Sequence, residues 1–79
     1  MRLRVLYFAT LRDRVGTDAE AVDSTASNAR GLYAELRAHH GFTMSEERLR
    51  VAVNGAFAAW EQPLRDGDEV VFIPPVSGG

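Results

Sequence analysis

The sequence predicts an α+β protein in which a mixed sheet of four to five strands packs against one main helix. Short apolar segments near both ends of the chain have the features of strands, one stripe in the middle has the spacing of a helix, and tight-turn signals separate the rest. One helix covers only one face of a sheet, so two layers are expected. With 79 residues, the chain is expected to form a single domain around a small core.

The first strand is predicted over residues 2–9, where arginines alternate with apolar side chains. A period of two is typical of a strand with one buried face. With the arginines toward solvent, the residues that face the core are Leu3, Val5 and Tyr7. The same parity leaves Leu6 and Phe8 on the outer face. A short polar turn or single helical turn at 11–15, closed by Gly16, and a weak second strand at 18–23 follow.

The main helix is predicted from an apolar stripe with helical spacing, formed by Ala29, Leu32, Tyr33 and Leu36. Ser24–Ser27 supply candidate N-caps, and Gly41 is the predicted C-cap. His39 and His40 lie in the last turn, where a positive charge favours the end of the helix dipole. Adjacent histidines do not share one helix face, so no metal site is predicted there.

The second half of the chain is predicted to add a strand at 49–53, a short strand at 56–60 and a last strand at 69–73. An Asn-Gly pair between the first two of these is a tight-turn signal. Phe57 and Trp60 are expected to be packing residues. The first and last strands of the chain are strongly apolar, so both are expected to be central. The simplest arrangement of these elements is a β-grasp, a mixed sheet that curls around one helix.

An apolar patch is predicted on the outer face of the sheet. In the last strand, Val70 and Phe72 are expected to face the core, which leaves Val71 and Ile73 outside. If the first and last strands are neighbours, the outer patch contains Leu6, Phe8, Val71 and Ile73. Such a patch usually marks a protein interface. A parity shifted by one residue would instead bury these side chains.

Charged residues near this patch give a weaker indication. Arg12 and an acidic set could add charge complementarity toward a partner, and the acidic set comprises Asp66, Asp68 and Glu69. A solvated turn with ordinary salt bridges would explain the acidic set equally well.

The composition excludes several kinds of chemistry. The chain has no cysteine, which excludes a disulfide, a thiolate nucleophile and a thiolate metal site. All nine basic side chains are arginines, so no lysine amine is present for Schiff-base chemistry. A net charge of −2 gives no indication of nucleic-acid binding, and no apolar run is long enough to predict a membrane span. No signal peptide or disulfide is predicted, so the expected compartment is the cytoplasm.

The sequence closes with Pro-Pro-Val-Ser-Gly-Gly, which predicts a tail at 74–79 beyond a domain at 1–73. Pro74 and Pro75 favour an extended path and lack the N–H that strand pairing requires. Gly78 and Gly79 have no side chain, so a partner can close tightly around their backbone. A frayed terminus without function is the alternative.

Three stretches carry a resemblance to a known family: RVLYFATLRDRVG at the start, AVNG in the middle and PLRDGDEVVFIPPVSGG at the end. Across essentially its whole length the sequence resembles the small, sulfur-carrying subunits of molybdopterin synthase, which have a ubiquitin-like β-grasp fold. Ubiquitin and the sulfur carrier of the thiamine pathway share the fold and the Gly-Gly end. The last stretch is more similar to the molybdopterin proteins than to either.

The resemblance implies that the Gly79 carboxylate is the working group and that Gly78 gives it access to narrow sites. An E1-like adenylyltransferase would join the carboxylate to AMP from ATP, and a sulfur donor protein would convert it to a thiocarboxylate. That group would donate sulfur to cyclic pyranopterin monophosphate in molybdenum cofactor biosynthesis. The chain itself would bind no metal and no cofactor, and it would be a sulfur-donating subunit without an active site of its own.

The resemblance also implies that the large subunit of the synthase is a partner, in a heterotetramer of two small and two large subunits. The residues expected to contact partners are Leu6, Phe8, Arg12, Val71, Ile73, Pro74, Pro75, Val76 and Ser77. Two other interpretations stay open from the sequence. One is a sulfur carrier for another pathway, such as thiamine or cysteine synthesis, and the other is a non-covalent ubiquitin-like adaptor whose tail does nothing.

Overall fold

The strands form one mixed sheet whose two central members come from opposite ends of the chain. A computed structural model of the protein describes residues 1–75. Its strands are β1 (Arg2–Tyr7), β2 (Ala19–Asp23), β3 (Arg50–Val53), β4 (Ala56–Ala58) and β5 (Glu69–Ile73). Their order is β2-β1-β5-β3-β4, with β1 and β5 parallel and all other neighbours antiparallel. The predicted α+β architecture and the central first and last strands are confirmed.

The helices lie in the connections between strands. They are α1 (Ala9–Val15) and α2 (Ala29–His40), and a single 3-10 turn at Glu46–Arg48 leads into β3. All four residues of the predicted stripe of α2 are buried. The first helix is longer than the predicted turn, because Leu11 anchors it to the core and Gly16 ends it in a left-handed conformation with φ of 91°.

The core lies between α2 and the inner face of the sheet. The inward residues of the two central strands are almost fully buried, namely Leu3, Val5, Tyr7, Val70 and Phe72. The strand parity predicted from the sequence is therefore correct. Tyr33 joins the two layers, because its ring centroid lies 5.3 Å from that of Phe72 and 6.0 Å from that of Phe42. Trp60 stacks on Phe72 at 5.9 Å, which confirms it as a packing residue.

The start of α2 is set by a residue that the sequence interpretation passed over. Asn28 is the N-cap, and its Oδ1 accepts a hydrogen bond of 2.9 Å from the backbone N–H of Gly31. The predicted caps lie just before it; Ser24 is instead buried and donates to Glu35. Gly31 is closely packed, since a Cβ there would lie 3.2 Å from Cβ of Ala26 and one of the two would have to shift by a few tenths of an ångström.

The turn between β3 and β4 fixes how the second half of the sheet is aligned. Asn54 and Gly55 both have positive φ, 51° and 86°, which suits a two-residue hairpin turn. The Asn54 side chain accepts from the N–H of Glu69 and donates to Asp68, each at 2.9 Å. These bonds tie the hairpin to the start of β5, so the register of β3, β4 and β5 is set together.

Candidate functional site

One row of apolar side chains crosses the whole outer face of the sheet. Leu6 lies opposite Ala19 of β2 on one side and opposite Val71 of β5 on the other. Val71 is in turn opposite Ala52 of β3, and Ala52 is opposite Phe57 of β4. Side chains at paired positions share one face. The face that α2 leaves open is therefore apolar from one edge to the other.

Two further apolar residues extend this row toward the end of the sheet where β5 finishes. Phe8 follows β1 directly and is 49% exposed. Ile73 closes β5 and is partly buried. We use the term apolar patch for the row without Ala19, together with these two residues: Leu6, Phe8, Ala52, Phe57, Val71 and Ile73. The structure thus brings together the four outer-face residues that the sequence predicted. Within the apolar patch Phe8 and Phe57 are exposed, Leu6, Val71 and Ile73 are half-buried, and Ala52 is buried.

Phe57 was predicted to be a packing residue, and that prediction is wrong. Its side chain is 71% exposed, the largest value among the big apolar residues of the described chain. The outward position of Phe57 could have been predicted from the two-residue turn, because a two-residue hairpin places Phe57 opposite Ala52. The guanidinium carbon of Arg50 lies 5.9 Å from the centre of the Phe57 ring, within range of a cation–π contact.

The tail leaves the domain beside the apolar patch. Phe72 is opposite Tyr7 in the parallel pair, so β5 ends where β1 ends. Pro74 is buried and Pro75 is exposed, so the chain emerges between these two residues. Neither proline has an N–H to continue the ladder. The remaining predicted tail residues lie outside the described chain: Val76, Ser77, Gly78 and Gly79.

Arg12 is exposed on α1, the helix that begins at the same end of the sheet as the tail. Its backbone N–H donates to the carbonyl of Phe8, a member of the apolar patch, at 3.4 Å. Its role in partner binding stays a prediction. On the far side of the apolar patch, Arg4 and Glu69 form an exposed pair at 3.8 Å, which contributes little stability.

The acidic set next to β5 has structural partners inside the fold. Asp66 accepts from the backbone N–H of Arg2 at 2.6 Å. Asp68 accepts from the backbone N–H of Arg65 at 2.8 Å and from Asn54, and these bonds hold the pKa of the Asp68 carboxyl below its usual value. The ordinary turn-forming explanation of these carboxylates therefore has direct support.

The histidines at the end of α2 have a structural setting as well. His40 Nε2 lies 3.1 Å from Glu20 Oε2, and the Tyr7 hydroxyl donates to the same oxygen at 2.5 Å. Burial, followed by the carboxylate of Glu20, strongly raises the pKa of Tyr7. In the part of the chain that the structure describes, no group of three or more potential ligands is placed to hold a metal ion. Among residues 1–75, no helix is long and apolar enough to cross a membrane.

A mixed five-stranded sheet around one main helix, with an exposed apolar outer face, defines a β-grasp protein of the ubiquitin-like class. The sequence profile of the ThiS family matches residues 5–79, and the chain belongs to this family. It is 38% identical to the molybdopterin synthase sulfur carrier subunit of Escherichia coli, over 98% of this chain and 99% of that relative.

Two solved structures place the fold in the same group. SAMP1 of Haloferax volcanii superposes with a TM-score of 0.83 at 26% identity, over 100% of both chains. A chain in the complex of subunits 1 and 2 of the molybdopterin-converting factor of Helicobacter pylori superposes with a TM-score of 0.70 at 25% identity, again over 100% of both chains. The relatives therefore match the whole domain rather than a fragment of it.

Proposed function

We propose that this chain is the sulfur carrier subunit of a molybdopterin synthase. The observation that carries the proposal is the tail root, where Pro74 and Pro75 leave the sheet beside Phe8 and Ile73 of the apolar patch. A reactive group at the end of such a tail can enter a partner's pocket while the apolar patch holds the domain outside. The relative in Escherichia coli and the two-subunit complex of Helicobacter pylori support the assignment.

The chemistry is assigned to the carboxylate of Gly79. A carboxylate is a poor acyl donor because oxide is a poor leaving group. An E1-like enzyme would transfer AMP from ATP to this oxygen and release pyrophosphate. A sulfur nucleophile delivered by a donor protein would then displace AMP and leave a thiocarboxylate. The chain has no cysteine, so the sulfur would be held at the C-terminus rather than on a side chain.

The thiocarboxylate would then act as the nucleophile toward cyclic pyranopterin monophosphate. The sulfur would form a bond to a carbon of the pterin side chain as an oxygen substituent leaves that carbon. Water would then hydrolyse the acyl–sulfur bond, so the sulfur stays with the pterin and the carboxylate of Gly79 is regenerated. The pocket for the pterin would come from the large subunit, and ATP would be bound by the activating enzyme. In this scheme the chain described here contributes a folded domain, a docking surface and a tail.

The apolar patch is assigned to docking on both partners. An exposed, contiguous apolar surface on a small domain is unfavourable in water and indicates an interface. The activating enzyme and the large subunit would use the same surface, so they would bind in turn and not together. We place the carrier in an assembly of two small and two large subunits, in which each tail reaches one pterin pocket.

Intact-mass spectrometry tests the proposal. The protein is incubated with ATP, a cognate activating enzyme and a sulfide source. The expected result is a mass gain equal to the replacement of one oxygen atom by sulfur. A chain that lacks Gly79 is the matched control and should gain nothing while keeping its thermal midpoint, because Gly79 lies beyond the predicted domain at 1–73 and has no side chain to pack against it.

Two outcomes separate this proposal from the alternatives. No mass gain, with an activating enzyme that is active on another carrier, would leave only a non-covalent adaptor. A mass gain without conversion of the pyranopterin precursor by the large subunit would point to a sulfur carrier of another pathway.

A further inference from the structure

The strand β2 forms an open edge of the sheet. Its only strand neighbour in the described chain is β1. Met1 and Ser24 exchange backbone hydrogen bonds of 3.2 and 2.9 Å, and the N–H of Tyr7 donates to Asp18 at 3.0 Å. In an antiparallel pair, hydrogen-bonded positions alternate with positions whose N–H and C=O point away. The outward positions of β2 are therefore Ala19, Ala21 and Asp23.

Of these three, Ala19 already has a partner. The hydroxyl of Thr17 donates to its carbonyl at 3.2 Å and lies 3.5 Å from its N–H. Ala21 and Asp23 carry outward backbone groups for which residues 1–75 supply no hydrogen-bond partner. Two consecutive outward residues offer two donors and two acceptors at the spacing that an added strand uses.

Several of the usual protections of an exposed edge are missing from β2. Open edges are normally blunted by charged side chains, above all lysine, by proline, by a bulge or by very short length. The two charges of β2 have partners within the fold, since Glu20 bonds to Tyr7 and His40, and Asp23 pairs with Arg2. The strand has five residues, none of them lysine or proline, and its five pairs with β1 run without interruption. The opposite edge, β4, has only three residues. Both outward residues that lack a partner have small or short side chains, so a second strand can approach closely.

A cavity of about 320 Å³ runs beside this edge, between β2 and α2. Val22 and Leu36 supply its apolar floor, Glu20 and Glu35 supply carboxylates at its rim, and His39 also lines it. The Asp23 side chain lies on the other face of the sheet, where it pairs with Arg2. A strand paired with β2 directs alternate side chains to this side of the sheet. The cavity would accept those side chains, which adds specificity to the backbone bonds.

The charge of the rim selects the kind of segment that fits. Glu35 accepts only from the neutral hydroxyls of Ser24 and Thr25, so its charge is not neutralised there. Asp23 has a single exposed pair with Arg2 at 3.4 Å. A second copy of this chain would bring the same carboxylates to the edge and repel. A basic segment would instead gain favourable contacts.

We propose that β2 is a strand-addition site for an extended, basic segment of a partner protein. The segment becomes a sixth strand, bonds to the backbone of Ala21 and Asp23, and turns arginine or lysine side chains toward the carboxylate of Glu35 on the cavity side of the sheet. This site lies on the edge of the sheet, separate from the tail, and does not depend on the sulfur chemistry proposed above.

Amide exchange and NMR titration of the full chain test this proposal with a defined probe. The probe is a blocked hexapeptide that alternates arginine and valine. Its expected Kd is about 1 mM, typical of a short segment that must be ordered on binding. Saturation should shift the amide signals of Ala21 and Asp23 and slow their exchange about tenfold, because each N–H gains a hydrogen bond. A hexapeptide of glutamate and valine should not bind.

Matched variants separate strand addition from simple charge attraction. Ala21→Pro removes the outward N–H at an edge position that tolerates proline, and it should weaken binding about tenfold. Ala21→Val keeps the N–H and should retain binding. An arginine–valine peptide with N-methylated alternate amides has the same charge and should lose binding.

A gain-of-function variant keeps the test independent of whether the proline variant folds. Glu35→Lys should reverse the preference, so that the glutamate peptide binds and the arginine peptide does not. The proposal is overturned if the arginine peptide shows no saturable shifts, if its shifts fall on the apolar patch instead of β2, or if the N-methylated peptide binds equally well. Self-association through β2, seen as a concentration-dependent dimer that Ala21→Pro abolishes, would also overturn it.

Discussion

Truncation of the most exposed aromatic side chain should separate partner binding from folding. Phe57 is 71% exposed, so a little under a third of its surface is buried in the isolated chain. A fully buried phenylalanine removes about 200 Å² from water, at about 25 cal/mol per Å². The buried part then contributes about 1.5 kcal/mol to folding at most. The exposed part would contribute about 3.5 kcal/mol to binding if a partner covered it completely.

Phe57→Ala should therefore weaken binding of the large subunit about 100-fold or more, while the free energy of unfolding falls by no more than about 1.5 kcal/mol. Titration calorimetry measures the first quantity and urea denaturation measures the second. Phe72→Ala serves as the folding control, since Phe72 is fully buried and its truncation should cost about 3–5 kcal/mol.

Arg2→Ala is the binding control, because Arg2 lies in β1 at the end away from the tail. It should change the affinity by less than about threefold. An unchanged affinity for Phe57→Ala would show that the partner does not cover β4. A loss of stability as large as that of Phe72→Ala would show that the ring is buried in solution.

Three further predictions concern the fold. Asn28→Ala removes the acceptor for the N–H of Gly31 and should cost about 1 kcal/mol in urea denaturation, whereas Asn28→Ser should retain most of the stability. Tyr7→Phe removes the hydroxyl that donates to Glu20 and should cost about 1–2 kcal/mol, seen as faster amide exchange in β2; unchanged exchange would contradict this. The folded pKa of Asp68 is depressed, so its stabilisation is present above the unfolded value near 4 and is lost as the pH falls through the folded value. Asp68→Asn should flatten that part of the stability–pH curve, and an unaltered acid slope would contradict the assignment.

The central strands and the helix stripe could be predicted because one physical constraint dominates each of them. Arginines that alternate with apolar residues in β1 leave one consistent parity, and burial follows it. The position of Phe57 could not be predicted in the same way. Its strand contains two alanines beside it, so no contrast in polarity marks either face, and only the turn geometry fixes its side.

Helix capping shows a different limit of the sequence. Three candidate caps precede Asn28, namely Ser24, Thr25 and Ser27, and all are chemically suitable. The choice among them depends on tertiary contacts. The Ser24 hydroxyl is held in the core by its hydrogen bond to Glu35, so the helix begins after this residue. Glycine is unfavourable inside a helix. At Gly31, however, any larger residue would contact Ala26 so closely that the neighbouring atoms would have to move. Local preference was overridden by packing in both cases.

The parallel pairing of β1 with β5 has a consequence for how the chain is made. Arg4 is opposite Glu69 and Tyr7 is opposite Phe72, so the two ends of the chain build the centre of the sheet together. During synthesis β1 cannot pair until β5 has been made, and pairing between segments so far apart in the sequence makes folding slow. A chain that stops before β5 lacks a central strand and leaves the inner residues of β1 uncovered. Truncated products would therefore be degraded as unfolded chains, and would not persist as folded competitors that occupy a partner without carrying a tail.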